Sequence, residues 1–122
     1  MQPPVRIEVA TCEACAGDAG RWRVTFRVVN AARSSVDLTD AWLPHGRFRG
    51  DGHIALSVSV PPLGLRVLTL EVSAREEPGT VVENAFLILR ASGCRVFARM
   101  RVTFDASGAA RPVVEAITVQ FL

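Results

Sequence analysis

The stretch Arg21-Trp22-Arg23-Val24-Thr25-Phe26-Arg27-Val28-Val29-Asn30 alternates in character from one residue to the next. Trp22, Val24, Phe26 and Val28 fall on one side of an extended chain, and Arg21, Arg23, Thr25 and Arg27 on the other. A period of two is the mark of a strand with one face in a core and one in water. Such a strand buries its apolar face only against further strands, so the pattern commits much of the chain to sheet. Later segments repeat it. Val5–Ala10, Val36–Leu43, Ile54–Val60, Arg66–Ser73, Val81–Arg90, Arg95–Phe104 and Val113–Phe121 all read as strands, with the opening one placed at Trp22–Val29. Between them lie turn signals: two glycines in Thr11–Gly20, the polar Asn30–Ser35, Pro61-Pro62-Leu63-Gly64, Pro78-Gly79 and Ser92-Gly93.

About eight short strands at regular spacing, with no amphipathic helix, predict an all-β fold: an antiparallel sandwich of one domain. A chain of 122 residues buries enough surface to hold such a core without metal or disulfide staples. The hydrophobic share of 49% is high for a soluble domain and favours some cover by self-association. Every basic residue is arginine, a bias that a GC-rich genome produces without selection at any site. The net charge of +2 argues against a general polyanion binder, and no aromatic motif of the kind that stacks RNA bases is present, so nucleic acid is not an expected partner. The longest apolar run, Ala85–Leu89, is too short to cross a bilayer, and no signal peptide is visible at Met1-Gln2-Pro3-Pro4. With an odd count of three cysteines, these features favour a reducing, cytoplasmic setting and no membrane association.

An alternating strand ending in Asn, Val24-Thr25-Phe26-Arg27-Val28-Val29-Asn30, is followed by the turn Pro61-Pro62-Leu63-Gly64, then by Val67-Leu68-Thr69-Leu70-Glu71-Val72, with Pro78-Gly79-Thr80 before the next strand. On these motifs the middle of the chain resembles an immunoglobulin-type sandwich, and most closely the CARDB-like group of bacterial adhesion-related modules. The resemblance covers roughly residues 22–104. It implies an immunoglobulin-like fold and a binding or spacer role, with no catalytic residues to carry over. The strand after Phe104 and the missing export signal depart from the family's pattern.

A two-residue turn at Ser92-Gly93 sets Leu89 opposite Val96, Leu87 opposite Ala98 and Ala85 opposite Met100, which makes one consistent core face. Strict alternation then sends Val82, Phe86, Ile88 and Phe97 to the other face, among Arg90, Arg95, Arg99 and Arg101. Aromatic anchors rimmed by arginine are what protein interfaces favour. The expected function is therefore a non-catalytic interaction or structural module, bound through this face to a protein partner or to a second copy in a homodimer. Arg99 and Arg101 are expected to orient the contact by forked bonds to carboxylates. The same alternation turns Glu83 inward with Leu87, where it requires a partner.

The alternative of a different class rests on Cys12-Glu13-Ala14-Cys15. Two thiolates at this spacing grip zinc or form a redox couple. A closed zinc site needs four ligands, so Cys94, His45 and His53 would have to converge on the pair. No cofactor is expected under the first reading, and zinc under the second. Two further features read as bland. His45, beside arginines in the loop His45–His53, has no nucleophile paired with it by motif, and Arg49-Gly50-Asp51 matches the integrin tripeptide at the level of chance.

Overall fold

In the computed structural model, which describes residues 5–122, the alternating strands pair into two antiparallel sheets that form a β-sandwich. The strands are β1 (Val5–Ala14), β2 (Arg21–Asn30), β3 (Val36–Trp42), β4 (Arg49–Gly50), β5 (Ile54–Val60), β6 (Leu65–Ser73), β7 (Val81–Ala91), β8 (Cys94–Phe104) and β9 (Ala110–Phe121). One sheet runs β1-β2-β6-β4 and the other β5-β3-β7-β8-β9. Val24, Phe26 and Val28 on β2 are fully buried, and Trp22 at its start donates its indole N–H to Ala74 O at 2.7 Å. The core is closed from the other sheet by Leu87, Leu89, Val96, Met100 and Phe104. Three differences from expectation exceed a single residue at a strand end. β1 continues to Ala14, so Cys12 lies in a strand; β9 starts at Ala110; and the loop after Pro44 contributes the two-residue β4.

The β7–β8 register agrees with the sequence reading: Leu89 pairs with Val96, Leu87 with Ala98 and Ala85 with Met100, all six buried. Strict alternation fails beyond Ala85. The ladder slips between Val82 and Ala85, where Glu83 and Asn84 together oppose Arg101. Asn84 sits at φ 56°, a left-handed conformation that Asn tolerates better than most residues. This bulge exchanges the faces of everything before it. Val82 therefore points into the core, 1% exposed, and leaves the expected interface. Glu83 points out to water and pairs with Arg101 at 3.1 Å, so the expected inward carboxylate does not arise.

A second irregularity, between Leu38 and Asp40, acts on β3 in the same way. Leu38, Ala41 and Leu43 are buried, which sends Asp40 and Trp42 to the outer face together. A third lies between β8 and β9, where Arg99 pairs with Ala116 and Met100 with Val114. Glu115 is the extra residue.

The two sheets are tied at one end by Asn30, the buried polar side chain among the described residues. Its Nδ2 donates to Ser34 O at 2.8 Å, Val60 O at 3.1 Å and Pro61 O at 3.2 Å, and its Oδ1 accepts the Ala32 N–H at 2.8 Å. The residue that ends β2 thus holds the carbonyls of the Pro61–Gly64 crossover, where prolines leave few backbone donors. Asn30→Ala strands these groups and is expected to cost about 3 kcal/mol, read as a lower urea midpoint with an unchanged slope. Asn84→Val, which forces a branched residue into the left-handed region, should cost about 1–2 kcal/mol, whereas Asn84→Gly should be near neutral in the same assay.

Candidate binding face on the five-stranded sheet

The outer faces of the two sheets differ in kind. On the four-stranded sheet Arg21, Arg23, Thr25 and Arg27 share the outer side, and two of them are paired: Arg27 with Glu8 at 3.2 Å and Arg21 with Glu71 at 3.2 Å. On the five-stranded sheet the outer face carries Phe86, Ile88 and Phe97, each half-buried and covered by no other strand of the described chain. Ile88 lies directly opposite Phe97 on β8, and Trp42 directly opposite Ile88 from β3. Phe86 meets Phe97 edge-to-face at 6.4 Å between ring centres. Such a pair is worth about 0.5–1.5 kcal/mol beyond its buried area, so the two rings hold each other in place.

Alternation alone leaves the facing of Trp42 open: Asp40 shares its side, which is awkward for an inward Trp42 unless a bulge intervenes, and the observed bulge turns both outward. The Trp42 ring stacks on His53 at 4.3 Å, with 28° between planes, and His53 Nδ1 is 2.7 Å from Asp40 Oδ2. His53, expected only as a spare metal ligand, therefore joins this face as a wall beside Trp42. The result is a groove of about 650 Å³ with Trp42, Ile88 and Phe97 at its base and Asp40, His53, Arg90 and Arg95 around it. That volume lies within the range of ordinary ligand pockets.

Charge is spread unevenly over the face. At one end the two bulged glutamates neutralise arginines: Arg101 bonds Glu83 at 3.1 Å and Glu115 at 3.6 Å, and Arg99 bonds Glu115 at 3.4 Å. Arg99 and Arg101, expected to reach for a partner's carboxylates, are thus engaged within the chain. At the other end Arg90 and Arg95 are directly opposite each other across the β7–β8 pair. Neither guanidinium takes part in an ion pair or side-chain hydrogen bond among the described residues. The natural partner for Arg90 is Asp40, its cross-strand neighbour, but that carboxylate is held by His53.

A larger cleft, about 830 Å³, opens at an end of the sandwich and is lined by charged groups. These largely satisfy one another. Arg21 binds Asp51 and Glu71, Arg47 binds Glu76, and Asp51 is held below the ordinary carboxylate range by its bonds to Arg21. The network fastens the loop around Gly52 to the four-stranded sheet, and Asp51 of the Arg49-Gly50-Asp51 tripeptide is occupied by it. His45 accepts the Arg47 N–H on Nδ1 at 3.0 Å, a local turn contact.

The three thiols do not converge. Cys94 pairs with Phe121 at one end of β9, while Cys12 lies near enough to Arg111, at the other end, to feel its charge. Those two points on β9 are roughly 30 Å apart at ordinary strand rise. His45 and His53 are each engaged elsewhere, as described above. No group of three or more His, Cys, Asp or Glu side chains in metal-holding geometry occurs among the described residues. Burial pushes the Cys12 thiol up to about 11, against a smaller opposing pull from Arg111, and burial also raises Cys94. Cys15 directs its thiol at Glu71 Oε1, 3.8 Å away.

No protein-family model matches the chain, and no curated protein matches it.

The neutral Cys12 thiol is the form that the fold prefers. Its contribution to stability is complete below about pH 9 and is lost as the pH climbs toward about 11. Iodoacetamide at neutral pH should therefore label Cys12 far more slowly in the native protein than in urea, with native labelling rising steeply only above pH 9. Peptide mass mapping of the labelled cysteines checks this.

Proposed function

We propose that this chain is a non-catalytic interaction module that binds a protein partner through the outer face of its five-stranded sheet. The observation that carries the reading is the contiguous row of Trp42, Ile88 and Phe97, with Phe86 beside it, on a face that no other strand of the described chain covers. Aromatic side chains grouped at the centre of a patch and ringed by arginine are the composition of binding hot spots. The opposite sheet carries paired charges and, on β6, the exposed aliphatic Leu65 and Val67, but no aromatic cluster among the described residues. The immunoglobulin-like reading draws support from the strand order, β1-β2-β6 packed against β5-β3-β7-β8, with β9 as an addition at the edge. A resemblance to CARDB-like modules is consistent with the Asn30 and Pro61–Gly64 positions, which act together in this fold.

Self-association through the same face is the weaker version of this reading. It sets the unpaired Arg90 and Arg95 of one copy within a face that already has more arginine than carboxylate. The zinc or thiol-redox alternative is weaker still, because it has two sulfurs near each other at most and one of them is a poor thiolate.

Phe97→Glu places a carboxylate at the centre of the patch and should weaken partner binding by about 2 kcal/mol or more. Val67→Glu, on the exposed part of β6 in the other sheet, is the matched control. Capture from host extract, with wild-type and both variants as bait, should lose its specific partner only with Phe97→Glu. Light scattering over a wide concentration range separates a second copy from a different protein. If Phe97→Glu alters neither the captured set nor the mass in solution, this face is not the binding surface.

A further inference from the structure

We infer that the groove between β3, β7 and β8 receives an acidic segment of the partner, with an apolar side chain on Trp42, Ile88 and Phe97 and a carboxylate held by Arg90 and Arg95. The inference rests on the binding-face reading above and adds to it the chemistry of the occupant.

One cross-strand pairing is unfavourable in the free fold. Like charges directly opposite each other on neighbouring strands destabilise a sheet. Arg90 and Arg95 occupy such a pair, next to the Ile88–Phe97 pair that forms the groove base. Elsewhere on this face carboxylates meet the arginines: Glu115 bridges Arg99 and Arg101, and Glu83 pairs with Arg101. At Arg90 the nearest carboxylate, Asp40, is turned aside into the Trp42–His53 stack. Two forked, unspent donor sets thus remain at the rim of an apolar groove of about 650 Å³. A guanidinium fork matches a carboxylate in two parallel hydrogen bonds, and one carboxylate between two guanidiniums also removes their mutual repulsion. An acidic side chain adjacent to an aromatic or aliphatic one satisfies the rim and the base together. A second copy of this chain meets the rim with a surface of the same sign and satisfies only the base.

The test uses two pools of short, capped peptides titrated into the whole protein and followed by NMR. One pool carries Phe, Leu or Trp next to Glu or Asp; the other replaces the acids by Gln and Asn. The acidic pool is expected to shift the Trp42 indole N–H and the Arg90 and Arg95 Nε–H signals. It should bind at least tenfold more tightly than the amide pool, with the difference shrinking as salt rises. In Arg90→Gln/Arg95→Gln the two pools should bind alike. A separate melting experiment should show that Arg95→Gln is no less stable than the wild type, since the substitution removes a repulsion and breaks no bond. Equal binding of the two pools to the wild type, or shifts confined to other surfaces, overturns the acidic occupant. If equal binding at the groove is also lost in Phe97→Glu, the face still binds and only the charge assignment fails. Loss of the face itself is read independently from the capture and light-scattering experiments.

Discussion

A side chain on a strand has two directions to point, and in a sandwich one of them is closed to charge. The inner faces of the two sheets hide each other, so period two decides burial residue by residue along β2, β7 and β8. A single extra residue in one strand reverses that decision for everything beyond it. One such slip lies at Ala10 in the four-stranded sheet; three more shape the five-stranded sheet, at Leu38–Asp40, at Glu83–Asn84 and at Glu115. None of these three disturbs the core, since Leu38, Ala41, Val82 and Ala85 all remain buried. Their effect falls on the outer face of the five-stranded sheet. They bring Trp42 and Asp40 out, take Val82 in, and set Glu83 and Glu115 beside Arg101.

The sheets also need a fixed relation at their ends, where the chain crosses from one to the other. Asn30 supplies it with four hydrogen bonds from one side chain. Its position matters because the crossover is built of Pro61 and Pro62, which bring carbonyls without N–H groups. The turn is correspondingly tight. A Cβ on Gly64 would sit 2.5 Å from Pro61 Cγ, and Leu63 is held at φ 55°. The alternating strand, its terminal Asn and the Pro-Pro-Leu-Gly turn are therefore one mechanical unit, although they lie thirty residues apart in the chain.

Six of the fourteen arginines are matched to a carboxylate within the described chain. Arg21, Arg27, Arg47, Arg99, Arg101 and Arg111 each meet a carboxylate. Asp105 shows how complete this can be: hydrogen bonds from the Ser107 hydroxyl and the Ala109 and Ser107 amides, with Arg111 beside it, hold its carboxyl well below the ordinary range. Exposed pairs of this kind add little stability each. Their value lies in what they leave over. Among the arginines left without a carboxylate, Arg90 and Arg95 stand directly opposite each other, beside aromatic rings. Departures from local consistency are where binding sites are best sought.

The alternation of apolar and polar residues was enough to establish the strands, the hairpin register at Ser92-Gly93 and an outward surface holding Phe86, Ile88 and Phe97. Backbone geometry makes those inferences strict, because neighbouring residues on a strand must point to opposite sides. What the tertiary structure alone decided was where that strictness lapses. A bulge depends on how two strands fit across a ladder; Glu83-Asn84 carries no clear mark of it in the chain, and Thr39-Asp40 only the awkward sharing of one side by Asp40 and Trp42. Only the tertiary structure therefore brings Trp42 and His53 to the groove and takes Val82 from it. The same holds for which arginines remain open. Fourteen arginines look alike in sequence, and only the placement of Glu83, Glu115, Asp40 and His53 around them separates Arg99 and Arg101, already bound, from Arg90 and Arg95.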